Sequence, residues 1–257
     1  MKRGQATIFI IIGILIMFVV ITFLSFDYHS NNKNQIVINT INNYIISCLD
    51  ESLIKSLRFF GTQGIIYDNS DDFRNLTYFN VPYYYYQGES RISSLDESEK
   101  IIANYSGAYF EECINDFKIF IDHNIRETGE KEISIKSSEG SVNIFLEYPL
   151  IIKKGNYTVN IEGFETGVDF DFKKVYNIAY EFIKEQDENP NYIPMGYLGI
   201  LSYEEKINIQ YSYLTYDDII YTLTFDRLKL LDKPYVLSFA IKYDFSSLYE
   251  NENKTEG

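Results

Sequence analysis

The chain has 257 residues, with 37 acidic against 23 basic side chains, two histidines and a net charge of −14. A chain so acidic repels nucleic acid and anionic lipid surfaces, which sets nucleic-acid binding aside as a function. Tyrosine and phenylalanine are abundant, tryptophan is absent, and the residues past the first thirty are enough for one or two domains with a proper core.

Residues Ala6 to Phe26, ATIFIIIGILIMFVVITFLSF, carry no charge. At about 1.5 Å of helical rise per residue they span roughly 30 Å, the hydrocarbon thickness of a bilayer. This predicts a single-pass transmembrane helix with its membrane span from Ala6 to Phe26, and so the lipid bilayer as one partner. Secretory signal peptides have an apolar core of roughly 7–15 residues and a small-residue cleavage site. This run is longer and ends Phe23-Leu-Ser-Phe-Asp27, the pattern of a retained signal anchor. Lys2 and Arg3 precede the run and Asp27 follows it. The positive-inside bias then predicts a cytoplasmic amino terminus and an extracellular remainder in the cell membrane.

The polar stretch His29–Asn34 separates this run from a second helix, from about Gln35 to Phe60, that the Gly61/Gly64 pair is expected to end. Whether the two helices are continuous is open at this level. Asp68–Asp72 reads as a solvated acidic turn. Val81–Tyr86, VPYYYY, favours a strand, which Pro82 restricts to a strand start or an edge. Alternation sends Tyr83 and Tyr85 to one face and Tyr84 and Tyr86 to the other. The expected arrangement is core on one face and a helix-covered layer on the other; the alternative is an exposed pair that binds partners or glycans. Ser94-Leu-Asp-Glu97 is a capping box opening a helix that should reach about His123.

Ile38, Ile41, Ile45 and Cys48 share one helical stripe; Ile102, Tyr105, Tyr109, Cys113, Phe117 and Phe120 share another. Both cysteines therefore point inward. In an exported segment an even count favours a Cys48–Cys113 disulfide between the helices, the alternative being two separate buried thiols. No C-x-x-C or nearby histidine makes either cysteine a metal ligand.

From Lys131 onward the apolar period changes from 3.6 to 2. Glu132–Ser138 and Val142–Tyr148 read as a hairpin turning at Glu139-Gly140, followed by a second strand pair turning at Gly155. Val175–Gln186 is an amphipathic helix, ended by Pro190 and Pro194. Ile207–Tyr213, Ile219–Phe225 and Tyr235–Tyr243 are three more strands. The expected fold class is α+β: a transmembrane helix, then a helical region with an inter-helix disulfide, then a mostly antiparallel sheet domain containing one inserted helix. The expected division is a membrane anchor over 1–30, a helical region with the tyrosine strand over 31–129, a β-rich domain over 130–249 and a disordered tail over 250–257.

Asn75, Asn104, Asn156 and Asn253 each open an N-x-[ST] acceptor pattern, which is compatible with export. His29 and His123 make no general base, and no nucleophile elbow, zinc helix or phosphate-binding glycine loop is present. Asp169/Asp171 and Asp217/Asp218 are carboxylate pairs of the kind glycoside hydrolysis uses, but adjacent acids on solvated faces are expected in so acidic a chain. The sequence thus assigns no catalytic residue, no metal ligand and no cofactor.

Lys2-Arg3-Gly4-Gln5, directly before the apolar run, resembles the archaeal class III (prepilin-like) signal sequence. That resemblance implies cleavage between Gly4 and Gln5, with the helix retained. Phe9 stands where many such sequences carry Glu at the fifth mature position. KRGQATIFIIIGI, the Cys48 helix with Gly61-Thr-Gln-Gly64, VPYYYYQGES, the Cys113 helix, YPLIIKKG, KVYNIAYEFI and FAIKY together resemble a family of uncharacterised single-pass surface proteins from small-genome archaea. The resemblance implies a cell-surface location and brings no activity with it. The expected function is a membrane-anchored extracellular protein that binds another surface protein or glycan, or contributes to the envelope. The alternatives are a pilin-like filament subunit processed after Gly4 and an extracytoplasmic enzyme acting on glycans.

Overall fold

The computed structural model describes residues 3–63, 73–76, 80–155 and 157–245, without the side chains of 3–12, 23–38 and 75. The acidic turn at 68–72 and the tail at 250–257 lie outside the described residues.

One unbroken helix, α1 (Arg3–Gln63), takes in the apolar run, the polar stretch and the predicted second helix. At about 1.5 Å per residue it is roughly 90 Å long. Its far part is the spine of the molecule. Ile41, Ile45, Cys48, Leu49, Leu53, Leu57 and Phe60 are buried along one stripe at three- and four-residue spacing. That stripe packs against α2 (Leu95–Ile114) and against strands of both sheets. Gly61 does not end the helix. It lies inside α1, where an added Cβ would come within 2.3 Å of the Val236 carbonyl oxygen, so its role is close approach to the sheet.

The first sheet has the order β1 (Phe73–Asn75), β2 (Asn80–Tyr86), β10 (Lys233–Lys242), β9 (Asp218–Leu230), β8 (Asn208–Tyr213), with β3 (Glu89–Ser90) returning onto β2. Only β2 and β10 run parallel. Their ladder begins at Tyr83, just past Pro82, which has no N–H to contribute. Tyr83 pairs with Ala240 and Tyr85 with Ile241, so Tyr84 is an extra residue in the ladder. The bulge turns both Tyr84 and Tyr85 into the main core, with Tyr84 stacked on Phe239 at 4.8 Å, while Tyr83 packs on the opposite face with Val81 and Ala240. Strict alternation across VPYYYY is therefore broken, and Tyr83, Tyr84 and Tyr85 are all buried.

The second sheet is built on β6 (Ser141–Lys154), to which β4 (Asn124–Glu127), β5 (Glu132–Ser138) and β7 (Tyr157–Val168) pair antiparallel. The two predicted hairpins share this one long strand. Pro149 falls at its register shift, where Tyr148 and Pro149 oppose Glu162 alone; a bulge is where a residue without an N–H is tolerated. The Pro149 carbonyl instead accepts from both the backbone N–H and the hydroxyl of Thr128.

Two helices, not one, are inserted between the sheets in sequence: α3 (Phe172–Glu188) and α4 (Met195–Glu205). One hydrophobic cluster runs from α1 and α2 through both sheets to α3.

Candidate functional site

The disulfide joins Cys48 of α1 to Cys113 of α2, with Cα atoms 5.6 Å apart. Both helices present a small residue there because the stripe that buries Cys48 meets the last turn of α2. Beside it the Tyr44 hydroxyl donates to the Cys113 carbonyl at 2.8 Å, and its ring meets Phe120 edge-on. On the next turn of α1, Asp50 accepts from the Thr166 hydroxyl at 2.8 Å and ties the helix to β7.

Of the predicted carboxylates, Asp217 and Asp218 are neighbours in sequence with separate partners. Asp217 accepts from Thr215 at 2.6 Å and pairs with Lys242 at 3.0 Å. Burial works against its charge, but those bonds and the lysine hold its carboxyl below the usual range. Asp218 is fully buried, accepts from the Tyr83 hydroxyl at 3.0 Å and meets Arg74 at 3.5 Å. These contacts brace the β8–β9 turn against β1, β2 and β10, a structural task. Asp171 is the N-cap of α3, accepting from the Lys174 backbone, whereas Asp169 is exposed. His123 has neither ring nitrogen bonded, and burial with the nearby Lys154 lowers its pKa. Among the described residues no group of three or more His, Cys, Asp or Glu is placed to hold a metal ion.

Of three clefts of about 460–520 Å³, two set charged groups beside aromatic rings. One, of about 460 Å³, lies between α3 and α4 beside the β5–β6 turn, and Glu139, Asp171, Glu181 and Glu205 converge on it. Three of the four are engaged, Asp171 as a cap, Glu205 in an ion pair with Lys174 at 2.9 Å and Glu181 with Lys184 at 3.8 Å. Tyr197 lines the same cleft with its hydroxyl pushed up by burial and by the surrounding glutamates.

The other cleft, of about 520 Å³, lies beside the end of α1. Phe59, Tyr109 and Tyr235 give it an apolar wall and Lys55, Arg58 and Lys233 a positive rim. The Tyr235 hydroxyl is spent inward on the Leu57 carbonyl at 2.8 Å. Arg58 reaches the Leu230 carbonyl at 3.3 Å, and Lys55 pairs with Glu51 at 2.9 Å. In a chain of net charge −14, three cations around aromatic rings suit an anionic group carried on a ring or sugar face. Sequence reasoning missed this cleft, since its residues come from three separated stretches and only the fold brings them together.

Gly4 and Gln5, the predicted processing site, fall in the first turn of α1, and their side chains lie outside the described residues. The same holds for most of the predicted membrane span, including Ala6 and Phe26. Gly13–Thr22 is described, and every residue of it is exposed. Among the described residues no helix is long and apolar enough to cross a membrane.

The fold and its clefts define an α+β protein with two sheets gathered on a long helix. Comparison of the chain with family models, curated proteins and solved structures gives no match.

Proposed function

We propose that the chain is a single-pass, membrane-anchored extracellular protein that binds another surface component or braces the envelope. One observation carries this reading: α1 is unbroken, its Ile41–Phe60 part is core, and Ile14 to Ile21 lie exposed around the whole circumference with none of the described residues covering them. An apolar helix surface exposed all round needs lipid or other helices. The disulfide is consistent with an oxidising compartment, and the cationic, aromatic-walled cleft gives a binding role a place to act.

Intact cells treated with a membrane-impermeant amine reagent should label lysines beyond residue 30, and carbonate washing should leave the chain in the membrane fraction. Recovery of the full chain as a soluble cytosolic species overturns the reading. A second reading, a subunit cut between Gly4 and Gln5 that assembles into filaments, is favoured by the same helix, since a protruding apolar half is what helix-to-helix assembly requires. Mass spectrometry of the native amino terminus separates them: a peptide retaining Met1–Gly4 excludes processing, and micrographs without filaments count against assembly.

A further inference from the structure

β8 is the edge strand of the first sheet, and among the described residues nothing pairs with its outer side. Soluble proteins blunt such edges with lysine, proline or a bulge. β8 has none of these. From Ile207 to Tyr216, INIQYSYLTY, there is no charged residue and no proline, although the chain as a whole carries a net charge of −14. The β8–β9 ladder also runs without a register shift. Leu214 donates its N–H to the Asp218 carbonyl, which sets the phase of the ladder. By alternation the backbone groups of Ile209, Tyr211 and Tyr213 then point outward, free to bond. Their side chains share a face, and Tyr211 and Tyr213 stand 42% and 56% exposed, with Tyr216 at 71% beyond the strand end.

We infer that this edge is an interface with a second copy of the chain, β8 pairing antiparallel with β8 about Tyr211. Two observations select a second copy. Like-charged molecules approach most easily through their neutral surface, and this ten-residue stretch is neutral. The strand is also self-complementary: centred on Tyr211, it sets Tyr211 against Tyr211, Ile209 against Tyr213 and Gln210 against Ser212 of the second copy. Aromatic pairs and aromatic–β-branched pairs are the favourable cross-strand neighbours, and here apolar meets apolar and polar meets polar. At their exposures the three tyrosines offer on the order of 300–400 Å² per copy. The strand edge and Leu214 bring the patch toward the roughly 800 Å² per partner of a specific interface.

The test uses the full chain in detergent micelles. Sedimentation velocity over a concentration series should show a monomer–dimer equilibrium, and the double variant Gln210→Lys/Ser212→Lys, on exposed polar positions, should shift it to monomer. Both native cysteines are bonded to each other, so a single new thiol reports cleanly. Tyr211→Cys should crosslink to a dimer under mild oxidation, because directly opposed residues have Cα atoms about 5.5 Å apart. Asn208→Cys should not, since three residues from the centre on each strand is about 20 Å. A wild-type chain that stays monomeric overturns the inference. So does a dimer that survives the two lysines while Tyr211→Cys fails to crosslink, which would place the contact elsewhere, on α1 included.

Discussion

Arg74 and Asp218 are bound to each other unequally. Arg74 keeps much of its side chain in water, whereas Asp218 keeps none, so the two deletions leave different residues stranded. Arg74→Met leaves a buried carboxylate with Tyr83 as its remaining donor and should cost about 3 kcal/mol. Asp218→Asn retains an acceptor for Tyr83 and leaves a half-solvated arginine, and should cost about 1 kcal/mol. Chemical denaturation of the two variants reads the order directly, and equal costs would refute it. A second buried group is Tyr221 and Tyr243, whose hydroxyls share a hydrogen bond at 2.7 Å, with Tyr243 donating on to Gln186 at 3.1 Å. Burial pushes Tyr221 up to about 12 although its hydrogen bond with Tyr243 works the other way, and burial together with Tyr221 pushes Tyr243 upward too. A tyrosine whose pKa is higher folded than unfolded contributes stability that is intact below the unfolded value near 10 and declines as pH rises through the folded value. The fold should therefore lose on the order of 2 kcal/mol between pH 10 and 12 through Tyr221. The tyrosinate absorbance should appear together with unfolding rather than before it.

Glycines show how far an element can be read before its neighbours are known. Gly61, expected to stop a helix, is required inside one, because a methyl group there would strike the Val236 carbonyl and the Tyr235 ring. Gly61→Ala should destabilise by about 1–3 kcal/mol despite alanine's better helix propensity. Gly196 and Gly199 in α4 face open space, so alanine at either should stabilise by about 0.5–1 kcal/mol. Thermal melts of the three variants should thus move in opposite directions. The same contrast explains what was legible. The β5–β6 hairpin, α3 and the capping box of α2 were readable because each is local: alternation, a 3.6-residue stripe, and Ser94 bonded to Glu97 both ways. α4 was not, because only Leu198 and Leu201 of its residues are buried and two glycines dilute its pattern. Nor was the end of α2 at Ile114, where Asn115, Asp116 and Phe117 all take positive φ. The β9–β10 turn was equally hidden, since Leu231 and Asp232 adopt the left-handed conformation that Asn-Gly usually signals.

Long-range closure rests on the disulfide, whose partners are 65 residues apart. The chain-entropy model assigns a loop of that length about 4 kcal/mol. Cys48→Ser/Cys113→Ser should lower stability by that order while leaving the sheets folded, because α1 and α2 also meet through the Phe59 and Tyr105 rings and share one core with both sheets. Loss of cooperative unfolding in the variant would show instead that the helices depend on the bond. The inter-helix pairing was readable from two inward stripes, although only part of the second was right: Ile102 and Phe117 are buried, while Tyr105 and Tyr109 are half-exposed. The clefts and the β8 edge were not readable, since each depends on which strands become neighbours.

An unbroken α1 has a mechanical consequence. No joint separates its first turns from the stripe that organises the core, so the rod and the globule turn as one body. A change of about 10° in the angle at which the near end is gripped would sweep the far end, roughly 90 Å away, through about 15 Å. Whatever grips the near end would then set which side of the globule its surroundings meet.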